Sequence, residues 1–337
     1  METGQSINQK PRRSLPGRLL SLIFVMAMLV AGVWAILNRQ LIFDQITVWQ
    51  FQPDQAVSSL ADEAGMNDRG KFLFYASRPE LNNAADFNNN CQARESQSIV
   101  LGCYASGRIF IFKVTDERIG GVKTVTAAHE MLHAAYERLS DSERTKLDQL
   151  LEVELAKTTD PDILDLVKLY DKTEPGERWN ELHSIFGTEV ADLPPELETY
   201  YARYFADRSQ VVAAYNNYHQ IFADLKARAM ELQNQLTTKK AVIDSKTTEY
   251  NTKLAQLDAD VKTFNQKAAT QGGFASQSEF NSTRAALLAR QTALTALGNS
   301  INALVEEYNQ AVVDLNALGV EMDTLNQNLD SHAETIE

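Results

Sequence analysis

The chain has 337 residues, a formal net charge of −13, 44% hydrophobic residues and 23% charged residues. That apolar share excludes a wholly disordered chain, and 15 glycines with 8 prolines exclude collagen-like or low-complexity architecture. The acidic balance argues against nucleic acid as a partner, because a phosphate backbone needs a basic face. Two cysteines are too few for a disulfide scaffold or a four-thiolate metal site.

Residues 19–37 read LLSLIFVMAMLVAGVWAIL, an uncharged run about 28 Å long as a helix and close to the thickness of a bilayer core. Lys10, Arg12, Arg13 and Arg18 precede it, so the positive-inside bias keeps residues 1–18 cytoplasmic and exports everything after Arg39. The competing reading is a cleaved signal peptide, with Val33-Trp34-Ala35 as a weak cleavage site; the length of the run favours an uncleaved single-pass anchor. Export also gives Cys91 and Cys103 a meaning, since an oxidising compartment permits their disulfide, worth about 2–3 kcal/mol for so short a loop.

Residues 41–206 read as a compact domain of the α+β class, mostly helical with a small β-hairpin. KFLFYA (71–76) has the length of a strand and Asn82 to Asn90 the composition of a loop. SIVLGCY (98–104) and RIFIFKV (108–114) flank Ala105-Ser106-Gly107 as a hairpin. Val122 to Leu139 has helical spacing, and Ser140-Asp141-Ser142-Glu143 fits a capping box that opens the next helix. Further short helices are predicted over 162–170, 178–186 and from Glu196 to Phe205.

From 207 to 337 proline disappears and apolar residues step by three and four. One series runs from Tyr215 to Leu236 and resumes from Ile243 to Phe264 after a stutter, and a second runs from Leu294 to Leu329. The two runs flank Gly272-Gly273, which predicts a long antiparallel coiled-coil hairpin, suited to a coiled-coil protein partner or to homo-oligomerisation; parallel arms from two chains are the alternative.

The chemistry sits at His129-Glu130-Met131-Leu132-His133. On a helix, residues four apart share a face, so the two imidazoles can hold one Zn2+ ion. Glu130 lies about 100° round the helix, out of the ligand position and placed to take a proton from water. A catalytic zinc site needs a third protein ligand and an open position. Glu181 and His183 are the candidates, pointing about 200° apart on one helix so that both cannot serve one ion, and Glu189 is a weaker third. Tyr200, Tyr201, Arg203 and Tyr204 read either as helix core or as an oxyanion donor.

The HExxH motif, the hairpin before it and the downstream Asn180-Glu181 with Ser184 resemble the zincin metallopeptidases, the gluzincin branch most, over about residues 98–205. Ala134-Ala135-Tyr136 after the motif departs from the metzincin extension, and Ile185 stands where gluzincins often carry an acidic residue that orients a zinc histidine. The resemblance implies a zincin-like metallopeptidase domain, a glutamate ligand at Glu181 with His183 as its alternative, Glu130 as general base, and a peptide or protein substrate. A non-catalytic envelope scaffold working through the coiled coil is the alternative function.

Overall fold

The computed structural model describes residues 15–91, 101–173 and 176–332. Lys10, Arg12 and Arg13, and Ser98-Ile99-Val100 of the first β-type run, lie outside the described residues. The chain is mostly helical with one three-stranded sheet, and it divides into two units, Met1–Val114 with Gly120–Asn216 and Thr115–Ile119 with Asn217–Glu337.

The first unit opens with α1 (Leu15–Leu37), whose stretch Leu19–Leu37 contains no buried residue and is long and apolar enough to cross a membrane. One residue, Asn38, separates it from α2 (Arg39–Gln50). Helix α3 (Gln55–Glu63) starts at Asp54, which accepts from the Val57 N–H at 2.8 Å, and α4 (Asp68–Ala76) starts at Asn67, which accepts from the N–H groups of Arg69 and Gly70 at 3.0 Å. Residues 71–76 are therefore helix and not the expected strand. Six apolar residues carry no clear period, and the cap at Asn67 together with buried Gly70, Leu73 and Phe74 decides in favour of the helix. The Asn-rich stretch is not a loop either. It holds β1 (Glu80–Asn82) and α5 (Ala84–Asn90), because Asn83 caps the helix by accepting from the Asp86 N–H and Phe87 anchors it on Phe112.

The expected hairpin is present as β2 (Gly102–Ala105) and β3 (Arg108–Phe112), antiparallel, with Tyr104 opposite Ile109. Ser106 and Gly107 both have positive φ, 52° and 76°, the two-residue turn that matches strand twist. The sheet order is β1-β3-β2, with β1 parallel to β3 and β2 at an edge. Against this sheet lies α6 (Gly121–Glu137), almost wholly buried, whose partners include α9 (Arg178–Thr188). Gly187 permits that approach: a Cβ there would lie 2.3 Å from the Leu132 side chain. The capping box at Ser140 and Glu143 forms and opens α7 (Asp141–Leu155), and α8 (Pro161–Thr173) and α10 (Pro195–Tyr201) complete the unit's short helices.

The second unit holds most of α11 (Ser209–Ala269), all of α12 (Gln277–Leu329) and the short segment 115–119. Asp260 pairs with Arg290 at 2.6 Å, Tyr250 meets Gly298 and Lys239 pairs with Glu307, so the two helices run antiparallel. Phe264, Phe274 and Phe280 close the turn, and Ser276 caps α12 by accepting from the Glu279 N–H. Leu225, Leu236, Leu257, Leu294, Leu318 and Leu325, all in the predicted seam, are buried. Within the same unit Thr115 donates to Asn328 and Arg118 to Glu321, both at 2.8 Å.

Candidate metal centre

Two helices build the centre. On α6, His129 and His133 stand one turn apart with ring centroids 4.7 Å from each other. On α9, Glu181 faces both: one carboxylate oxygen lies 3.4 Å from His129 Nε2 and the other 3.5 Å from His133 Nε2. Ligands at zinc's usual 2.0–2.1 Å in a tetrahedron are separated by about 3.3–3.4 Å, close to each of these two spacings, one to each carboxylate oxygen. The Glu181 Oε2 atom is buried and has no hydrogen-bond partner among the described residues, as a ligand atom awaiting a cation would be. The side chains of His129, His133 and Glu181 are 17%, 9% and 13% exposed, so the cluster is shielded but not sealed from solvent.

Hydrogen bonding around His133 sets its ring. Asn180 donates from Nδ2 to Glu177 at 3.2 Å, which turns its Oδ1 toward His133 Nδ1 at 2.9 Å. Nδ1 then carries the proton and Nε2 presents a lone pair toward Glu181. Asn180, directly before Glu181, thus orients the His133 ring. Burial pushes the Glu181 carboxyl up, but the facing imidazoles of His133 and His129, when protonated, and a hydrogen bond from Tyr170 outweigh it and hold it at about 2. Glu181 is an anion at any neutral pH, as a ligand must be.

Glu130 points to a different neighbour, the edge strand β2. A Cβ on Gly102 would lie 2.7 Å from Glu130 Oε1 and 2.4 Å from the Thr126 methyl, so only glycine lets the strand rest on this carboxylate. The backbone N–H of Tyr104 donates to it. The other oxygen, Oε2, has no hydrogen-bond partner among the described residues. Burial pushes the Glu130 carboxyl up to about 7; the charge of Glu181 adds to the rise, while His133 and the Tyr104 N–H oppose it. Ligand atoms of His129, Glu130 and His133 lie within 4.8 Å of one another, so these three could also hold an ion, and Glu130 stands beside the imidazoles that Glu181 faces from α9.

The remaining candidates fall elsewhere. His183 is completely buried, stacked on Tyr201 and flanked by Tyr136 and Tyr200, with ring centroids 5.4–5.6 Å away. It is a core histidine, and burial holds it well below its ordinary pKa. Glu189 caps α9 and is hydrogen-bonded to Tyr215. Tyr201 donates to the His183 carbonyl at 2.7 Å, Tyr200 and Tyr204 share a hydroxyl contact at 3.4 Å, and Arg203 pairs with Glu143 at the surface, so Tyr201 and Tyr204 are core and all four side chains have partners away from the imidazoles of His129 and His133.

Sequence reasoning missed Asn180 and Tyr170 as supports of the ligands, and Gly102 and Tyr104 as supports of Glu130. The disulfide Cys91–Cys103 is present and fixes β2 between those last two residues. Arg138, the residue that ends α6, was missed as well: it is paired with buried Asp44 of α2 at 2.8 Å and donates to Tyr104 Oη at 3.2 Å. No protein-family profile, curated protein or solved structure matches this chain.

Proposed function

We propose that the protein is a membrane-anchored, extracytoplasmic zinc peptidase with His129, His133 and Glu181 as ligands and Glu130 as general base. The observation that carries the reading is the Glu181 carboxylate facing both imidazoles at 3.4 and 3.5 Å. Bound there, zinc would polarise the scissile carbonyl and acidify a water molecule. Glu130 takes the proton from that water and passes it to the leaving amine, a task suited to a carboxyl pushed up to about 7. Tyr104 and Gly102 hold Glu130 against β2, and Asn180 holds His133. The apolar helix 19–37 supplies the anchor, and the Cys91–Cys103 disulfide supports an oxidising, extracytoplasmic compartment for the domain. The antiparallel helices α11 and α12 act as a coiled coil that recruits a protein partner or a second copy. A purely structural site gives Glu130 no duty, which favours the enzyme over the scaffold.

The test is proteome-wide cleavage profiling of the wild type against Glu130→Gln. The reading expects new peptide termini in the wild type only, with metal retained in the variant. Identical profiles from the two proteins would remove Glu130 as base.

A further inference from the structure

Helix α2 has two unlike faces. Its inner face is fixed within the first unit: Asp44 is buried in its ion pair with Arg138, and Phe51, just after the helix, packs at a tilt against Tyr75 of α4 with ring centroids 6.1 Å apart. Its outer face carries Phe43, 63% exposed, Ile46, 41% exposed, and Trp49, 77% exposed. Ile46 and Trp49 lie about 160° and 140° round the helix from Asp44, so the buried pair prevents the apolar face from turning inward. Three large apolar side chains left in water on one helix face, with a tryptophan the most exposed, call for an occupant.

The chain itself indicates which occupant. Asn38 joins the two helices: its N–H bonds the Trp34 carbonyl at 2.9 Å and its carbonyl accepts from Ile42 at 3.1 Å, while its φ of −108° and ψ of 23° leave helical geometry and break α1 from α2 at this point. The face therefore begins where the apolar span ends. Tryptophan and phenylalanine beside a span favour the headgroup level, where an amphipathic ring has both an apolar and a wet side. Arg39 is the helix's only basic residue and Asp44, its only acidic one, is buried and paired, so the outer face presents no carboxylate to anionic headgroups.

We propose that α2 is an interfacial helix, with Phe43, Ile46 and Trp49 immersed at the headgroup–acyl boundary of the bilayer that α1 spans. This rests on the anchored reading and goes beyond it. A helix rising straight out of the membrane would carry Trp49 about 18 Å past the span, beyond a headgroup layer of about 5–8 Å, so immersion requires α2 to lie inclined along the surface. The Asp44–Arg138 pair then connects the lipid-bound helix to the end of the motif helix, and the metal centre is held at the membrane surface, not on a swinging tether.

The test uses the full chain in phosphatidylcholine–phosphatidylglycerol vesicles that carry phosphatidylcholine spin-labelled near the headgroup end of its acyl chain. The chain has three tryptophans. W34F with W179F leaves Trp49 alone, and W49F with W179F leaves Trp34 alone; each replacement is aromatic for aromatic at a ring that is not fully buried. Loss of most of the Trp49 emission, together with quenching of Trp34, is the expected result. Quenched Trp34 with unquenched Trp49 overturns the interfacial helix and leaves the anchor standing. If neither is quenched, the anchor fails with it. Trp49 shielded from aqueous iodide yet untouched by the lipid label overturns the proposal in favour of a second copy of the chain on this face.

Discussion

A single amide sets the orientation of the His133 ring. Asn180 fixes the His133 tautomer from a position the motif does not include, and its loss frees the ring to turn. Asn180→Ala is expected to weaken zinc binding about 10–100-fold in competition with a chelator, while Asn180→Asp retains it; equal affinity of Asn180→Ala and wild type would contradict the orienting role. A second residue-scale effect is electrostatic. Burial pushes Glu189 up to about 7, against the opposing effects of His129 and the Tyr215 hydrogen bond. The folded protein then binds more protons than the unfolded chain, so this group's contribution to stability falls as pH rises from the ordinary carboxyl value through about 7. Glu189→Gln should remove that fall, up to roughly 3 kcal/mol between pH 5 and 8 in urea denaturation of the metal-free protein; parallel stability curves for variant and wild type would refute it. At this scale the sequence told the motif but not its supports. His129 and His133 are legible because helical spacing alone puts them together. Glu181 and His183 are not separable that way, since the choice depends on which face of α9 is turned to α6.

Elements meet the centre through close approach. Strand β2 touches Glu130 only because residue 102 has no side chain. Gly102→Ala pushes a methyl into Thr126 and Glu130, and is expected to cost about 1–3 kcal/mol of stability and most of the hydrolytic rate. Unchanged melting and turnover would show that the strand can retreat freely. The hairpin of β2 and β3 was readable from two apolar runs around Ser106-Gly107, and α7 from its capping box, because turn and cap chemistry are local. Helix α4 was misread as a strand since KFLFYA has no period of its own, and the Asn67 cap and buried contacts of Leu73 and Phe74 decide its state. Helix α5 was hidden for a related reason: asparagine favours loops by composition, yet Asn83 is also a strong helix cap.

The whole chain joins an apolar helix, a globular unit with the candidate centre and a long antiparallel helix pair. The ends were the most legible parts, since an uncharged run of bilayer length and steps of three and four need no tertiary information. Less legible was the company of residues 115–119, which belong with the helix pair although they sit in sequence between β3 and the motif helix. Leu325 is fully buried in that unit, and Leu325→Ala is expected to lower its stability by about 2–5 kcal/mol, read as an earlier loss of helical circular dichroism on heating; an unshifted transition would mean that the seam contributes little. The central claim is that His129, His133 and Glu181 grip one divalent ion. Its most direct test is metal content of the purified full chain, measured for wild type, Glu181→Ala and His183→Ala. The account predicts about one zinc ion per chain in the wild type and His183→Ala, and loss of it in Glu181→Ala. A wild-type protein that holds no metal, or a Glu181→Ala protein that keeps it, would contradict the account.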